Sequence, residues 1–229
     1  TCAAAGLIVG AVTLTGLGLK FSSIVLQYAD GASRGIYDGL VALGAAATPG
    51  LLHDMKLLLT AVFTSLIVWI VGLAVPVTAS YIICAVIAAP ALIALGVANF
   101  AAHMFIFYYA VLSEVSPPTA LSPFAAAAIT GGNPYRTTLQ SWKYTMPAFL
   151  VPFMFVLDPA GLGLLLMGSF KKLGDANWFD IAVVCVTAMI GIAALAGAMQ
   201  NWMFKRTTWL ERWLLVAAGL ALVYPKALL

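Results

Sequence analysis

The 229-residue chain is 63% hydrophobic and only 8% charged, with a net charge of +3 and a mean hydropathy of +1.05. Soluble domains carry about 25% charged residues, so a soluble enzyme, a nucleic-acid binder and a secreted disulfide scaffold are excluded. Residues 57–113 contain no charged side chain, and neither do residues 115–135. A bilayer core takes roughly 20 apolar helical residues, so the longer stretch must cross, turn and return. The sequence reads as an all-α polytopic membrane protein.

The first apolar run, residues 1–26, is rich in Ala and Gly. Gly6 and Gly10 have the G-x-x-x-G spacing that lets two helices approach closely; a glycine-rich spanning helix is the plainer alternative. Residue 1 is Thr, and no basic stretch precedes the run, so a signal peptide is not expected and the chain reads as a piece of something longer. From Gln27 to Lys56 charges return around a short apolar run, Gly39 to Ala47, which suits an interfacial or re-entrant connector.

Leu57 to Val71 is strongly apolar, Gly72 to Ser80 breaks it, and a second apolar run continues to Leu95. Each arm of roughly 15 residues makes about 22 Å of helix, short for a crossing. A re-entrant helical hairpin is therefore expected, with a single kinked helix as the alternative. A second interruption follows. Asn99 to Leu112 is helical in character, Ser113 to Thr119 breaks it, and Ala120 to Thr130 resumes. Pro117 and Pro118 remove two successive backbone donors, so this is a discontinuous helix. Gly131-Gly-Asn-Pro134 ends the segment, and residues 136–144 read as a polar connector. Three further spans are expected at about 146–170, 181–204 and 213–224, with Trp178, Trp202, Trp209 and Trp213 at their ends. Basic residues divide evenly between the two sides, and the acids Asp30, Asp38, Asp54, Asp175 and Asp180 opposite the 131–145 linker and the 205–212 loop lean these two to the cytoplasmic side. Three segments result: 1–56, a spanning helix plus connector; 57–135, hairpin and broken helix; and 136–229, connector and three helices.

Broken helices at membrane depth are the strongest sequence pointer to a transporter binding site, because each half-helix end exposes unpaired backbone groups. The first break offers carbonyls near Val71 to Val75 and hydroxyls on Thr78 and Ser80. The second offers carbonyls from Ser113 to Ser116 and hydroxyls on Ser113, Ser116 and Thr119. Oxygen-only sets of this kind suit Na⁺; the alternative is a pair of kinks that merely shape packing. Glu114 is either an intramembrane functional carboxylate or a cavity-lining one. Asp158, before Pro159, reads as a helix-end or capping acid, with an ion ligand as the alternative; His103 reads as a hydrogen-bonded packing histidine, with a proton relay as the alternative, and His53 as a loop residue. Cys2, Cys84 and Cys185 lack metal or disulfide spacing and read as packing residues. No nucleophile–base pair or phosphate loop supports an enzyme, and no cofactor beyond a coupling ion is expected.

The string AAHMFIFYYAVLSEVSPPTALSPFAAAAITGGNPYRT, followed by PAFLVPFMFVLDP, resembles the membrane subunit of tripartite ATP-independent periplasmic (TRAP) transporters, most nearly the fused permeases of the TAXI subgroup. GLIVGAVTLTGLGLKFS and GLAVPVTASYIICAVIAAPAL are similar to the same pattern, in the family order, over about residues 1–160. The resemblance implies the C-terminal half of an inverted-repeat, elevator-type secondary transporter in the bacterial inner membrane. It would import organic acids (carboxylates) with Na⁺, receive substrate from a periplasmic binding protein, and pair with an N-terminal half of the permease. The ion and substrate surface it implies is Gly72, Val75, Pro76, Thr78 and Ala79 with Ser113, Ser116, Pro117 and Thr119, Na⁺ being held through Gly72, Thr78, Ser116 and Thr119. The family tip reads G-M-G-L-P-T-T-A-A-Y. Here Ala74 replaces the second glycine and Val77 the first threonine, which should weaken cation binding at this tip. The alternative function is a truncated or structural membrane module without transport of its own.

Overall fold

The computed structural model describes residues 2–43, 49–157, 165, 178–203 and 205–223. The all-α expectation holds: among the described residues there are helices and turns, with a single isolated bridge between Trp202 and Arg206. The chain forms two compact units, residues 1–111 and 112–229.

In the first unit, α1 (Cys2–Leu14) and α2 (Leu17–Ala42) meet at Gly16, whose φ of 65° lies in the left-handed region that favours glycine. Nothing comes within 4 Å of a Cβ built on Gly6 or Gly10, so the G-x-x-x-G pair makes no close helix contact among the described residues. The expected connector at 27–43 is instead the continuation of α2. Within it Asp30 bridges Arg34 at 2.9 Å and Lys56 of the next helix at 2.8 Å. Residues 44–48, part of the proposed re-entrant piece, lie outside the described residues.

Next come α3 (Pro49–Ala74) and α4 (Val77–Ala94), of 26 and 18 residues. They fold back on each other. Asp30 of α2 meets Lys56 of α3, while Ser22, two turns earlier on α2, donates to the Ile87 carbonyl of α4 at 2.6 Å. Only a reversal at Val75–Pro76 brings both arms alongside α2 in that register. The short-arm expectation needs correction. Pro49 opens α3 about two helical turns before Leu57, a position where its missing N–H costs nothing. Residues 50–74 and 77–94 are each long and apolar enough to cross a bilayer.

Pro90, inside α4, supplies no N–H to the Val86 carbonyl. α2 packs closely there: a Cβ on Gly18 would stand 2.9 Å from that carbonyl oxygen. α5 (Asn99–Ser113) then buries Ala101, Ala102, Phe105, Ile106 and Ala110 completely.

In the second unit, α6 (Leu121–Thr130) ends on Gly131, φ 69°, with the Gly132 N–H returning to Ala127 O at 3.0 Å, a glycine helix stop. The expected polar connector is helical: α7 (Pro134–Thr145) starts with Pro at its first position, and Asn133 Oδ1 accepts from Arg136 N at 3.1 Å. Asn-Pro is a start signal as well as a turn signal. A 3₁₀ turn (Met146–Leu150) leads into α8 (Val151–Leu157). Residues 158–164 and 166–170 of the expected 146–170 span, Asp158 among them, lie outside the described residues. α9 (Trp178–Gln200) contains the third span-length segment, residues 181–200. α10 (Trp209–Val223) has 15 described residues, about 22 Å, fewer than the span-length helices. α9 and α10 pack tightly, since a Cβ on Gly219 would fall 2.6 Å from Leu195 Cγ.

Candidate functional site

The nine predicted site residues divide between the two units, and each group has its own geometry. In the first unit the interruption is narrower than expected. Only Val75 and Pro76 leave the helix; Gly72 belongs to α3, and Thr78, Ala79 and Ser80 to the first turn of α4. One proline suffices, because its fixed φ and missing N–H stop α3 while its position before α4 costs nothing. Gly72 is buried, Val75 and Ala79 are half-buried, and Pro76 and Thr78 are exposed. The Gly72 carbonyl would take its helical hydrogen bond from residue 76, which is proline and has none to give.

Ser80 is completely buried, and its Oγ donates to the Val75 carbonyl at 2.9 Å. The first intrahelical bond of α4 is Ser80 N to Pro76 O at 2.9 Å. No side chain caps this helix start, so the backbone N–H groups of Val77, Thr78 and Ala79 form an uncapped N-terminus of positive partial charge.

The second unit repeats the pattern at its own interruption. Leu112 and Ser113 close α5, Glu114 to Thr119 form successive turns containing a cis Pro117–Pro118 bond, and α6 begins at Leu121. Ser113 and Ser116 are completely buried, Pro117 is half-buried and Thr119 exposed. Ser116 Oγ donates to the Leu112 carbonyl at 2.9 Å. Its backbone N–H reaches Ser113 O at 3.1 Å, and its own carbonyl accepts from Ala120 N at 3.1 Å. Ala120 sits at φ 37°, ψ 52°, and α6 too has no side-chain cap. Each interruption therefore pairs a buried serine hydroxyl with a carbonyl at the end of one half-helix, followed by an uncapped start of the next.

The sequence reading left out one polar cluster. Tyr81, a turn into α4, approaches His103 Nδ1 of α5 at 3.2 Å, and its ring meets those of His103 and Phe107 edge-on. The hydrogen-bonded histidine expected at 103 is thereby placed. With Asn99, Phe100 and Met104 these residues line an open groove of about 730 Å³. Asn99, His103 and Phe107 recur every four residues and so share one helix face, a signal that was available in the sequence. Glu114 is half-buried beside the second break. Cys84 is a buried free thiol and Cys185 a half-buried one. No group of three metal-ligating side chains occurs among the described residues.

Three helices long and apolar enough to cross a membrane, among the described residues, define the class: a multi-pass helical membrane protein. The family model for the DctM component of the tripartite ATP-independent periplasmic transporters matches residues 1–172. The chain belongs to that family, and both interruptions fall inside the matched region. No curated protein and no solved structure gives a significant match. Membership makes the chain a permease component of a transporter, not an enzyme, and implies a periplasmic binding protein as partner.

Proposed function

We propose that the chain is the C-terminal half of a TAXI-type permease that imports organic acids with Na⁺ across the bacterial inner membrane by an elevator-like movement. The observation that carries this reading is the arrangement repeated at Val75–Pro76 and at Ser113–Ala120. Carbonyl oxygens at the end of a half-helix suit a hard cation, and uncapped N–H groups at the start of the next suit a carboxylate. Gly72 supports the cation role through the carbonyl that Pro76 cannot serve. Thr78 and Thr119, both exposed, offer hydroxyls beside the two helix starts.

Ser80 and Ser116 add a condition. Each hydroxyl already donates to a carbonyl, so a cation taking that carbonyl must compete with the hydrogen bond or turn the hydroxyl so that its lone pair also faces the ion. The periplasmic binding protein delivers the acid, and the preceding half of the inverted repeat supplies the opposing surface.

Transport by the full permease, with its binding protein, tests the reading. Ser116→Ala and Thr119→Ala should each raise the Na⁺ concentration for half-maximal uptake by roughly tenfold, as expected for loss of one oxygen contact to a charged ligand. Unchanged Na⁺ dependence in both variants would overturn the site.

A further inference from the structure

The turn between α9 and α10 is a built structure. Asn201 takes a left-handed φ of 57°, and its Oδ1 accepts from Thr207 Oγ1 at 2.9 Å. Met203 N reaches Lys205 O at 3.2 Å, and Thr207 N reaches Asn201 O at 3.4 Å. The next residues close a capping box: Thr208 N donates to Glu211 Oε2 at 2.8 Å, and Glu211 N to Thr208 Oγ1 at 3.4 Å.

Between this turn and α10 lies a groove of about 390 Å³, lined by Met203, Lys205, Thr207, Glu211, Leu214 and Leu215, within the size range of ligand pockets. Its floor is apolar, and Met203 and Leu214 stand 45% and 61% exposed. The segment around it is basic: Lys205 lines the groove, Arg206 follows it in the chain, and the exposed Arg212 lies in the first turn of α10. The acid here, Glu211, is engaged by Thr208 and lies 3.9 Å from Lys205. Among the described residues neither Arg206 nor Arg212 has an ion-pair partner.

The turn directly follows Gln200, the end of a span-length helix, so it sits where hydrocarbon gives way to headgroups. The exposed indoles of Trp202, Trp209 and Trp213 mark that level. A net-positive segment beside an exposed apolar floor at this depth is complementary to a molecule with an anionic head and a hydrocarbon tail.

We propose that the groove between α10 and the turn residues Met203, Lys205 and Thr207 binds an anionic phospholipid, its phosphate held by Lys205 with Arg206 and Arg212 and an acyl chain lying against Met203, Leu214 and Leu215. The site does not depend on the transport reading, since it lies outside the residues the family model matches.

Native mass spectrometry of the full 229-residue chain, delipidated in detergent and titrated with phosphatidylglycerol or phosphatidylcholine, tests it. Wild type should retain phosphatidylglycerol preferentially, by about fivefold for each cation engaged. The variant K205Q/R206Q/R212Q should bring the two lipids to parity. Ala218, exposed on the groove-facing side of α10, supplies a second variant: Ala218→Trp should fill the floor and reduce retention of both lipids with the charges intact. Millimolar inorganic phosphate should not displace the lipid, because it lacks the chain. Equal retention of the two lipids by wild type, a preference that survives K205Q/R206Q/R212Q, retention unaffected by Ala218→Trp, or displacement by phosphate would each overturn the proposal.

Discussion

Ser80 and Ser116 show how little chemistry an interrupted helix needs. A proline strips a helical carbonyl of its donor, and a serine four or five residues on supplies a hydroxyl to a carbonyl at the same half-helix end. Thr60 and Thr64 of α3 are the opposite case. Both are completely buried, yet their hydroxyl oxygens have no hydrogen-bond partner among the described residues. A buried polar group without a partner costs about 1–3 kcal/mol, and valine has nearly the same shape. Thr60→Val and Thr64→Val should therefore leave the unfolding temperature in detergent unchanged or raise it; a clear fall in thermal denaturation would show that the hydroxyls serve a partner. The prolines that define both breaks were legible in the sequence, because a missing N–H is a local property. The Tyr81–His103 contact was not, since it depends on how α4 and α5 meet.

The helices themselves depend on close approaches that composition does not reveal. Gly18 matters because Pro90 frees the Val86 carbonyl and α2 packs directly onto it. Gly18→Ala should cost about 1–3 kcal/mol, as overpacked sites do, with a lowered midpoint in denaturant titration; Gly6→Ala, with open space around it, should be silent and serves as the control. The glycine spacing at 6 and 10 suggested a packing motif, whereas the glycines that do pack, Gly18 and Gly219, stand in no such pattern. Their role is set by the partner helix. The two arms are longer than the apolar pattern suggests for a related reason. His53, Asp54 and Lys56 looked like loop residues, but Lys56 pairs with Asp30 and the helix runs through them.

At the start of α10 the Thr208 N–H, then its hydroxyl, then the Lys205 charge hold the Glu211 carboxyl below its ordinary value of 4.5. A depressed carboxylate contributes its stability fully above that ordinary value and loses it as pH falls through the lower folded one. Amide exchange at residues 208–211 should thus be flat from neutral pH down to that ordinary value and quicken below it, after correction for intrinsic rates. In Glu211→Gln the acid-side step should vanish; its persistence would contradict the capping role.

The chain as a whole was legible at the level of class. Sparse and clustered charge gave a polytopic helical protein, and four stretches in order gave the resemblance that the family match over residues 1–172 bears out. The last 57 residues lie beyond that match and carry little signature, because spanning helices such as α9 need only to be apolar. The finer functional reading rests on hydroxyls and carbonyls at two short interruptions. Their residue types could be read from the sequence, but not the hydrogen bonds that already occupy them, since those appear only once the backbone has turned.

Ala120 adds a mechanical consequence. It is completely buried and left-handed at φ 37°, a conformation costing an alanine roughly 1–2 kcal/mol that glycine would adopt freely. Glycine would also open neighbouring conformations to the chain, whereas a methyl group closes most of them. The joint before α6 is thus built as a fixed elbow. If the protein moves its cargo, α6 and the turn ahead of it travel as one stiff piece, and the bending falls to other joints, of which Gly131 at the far end of α6 is glycine.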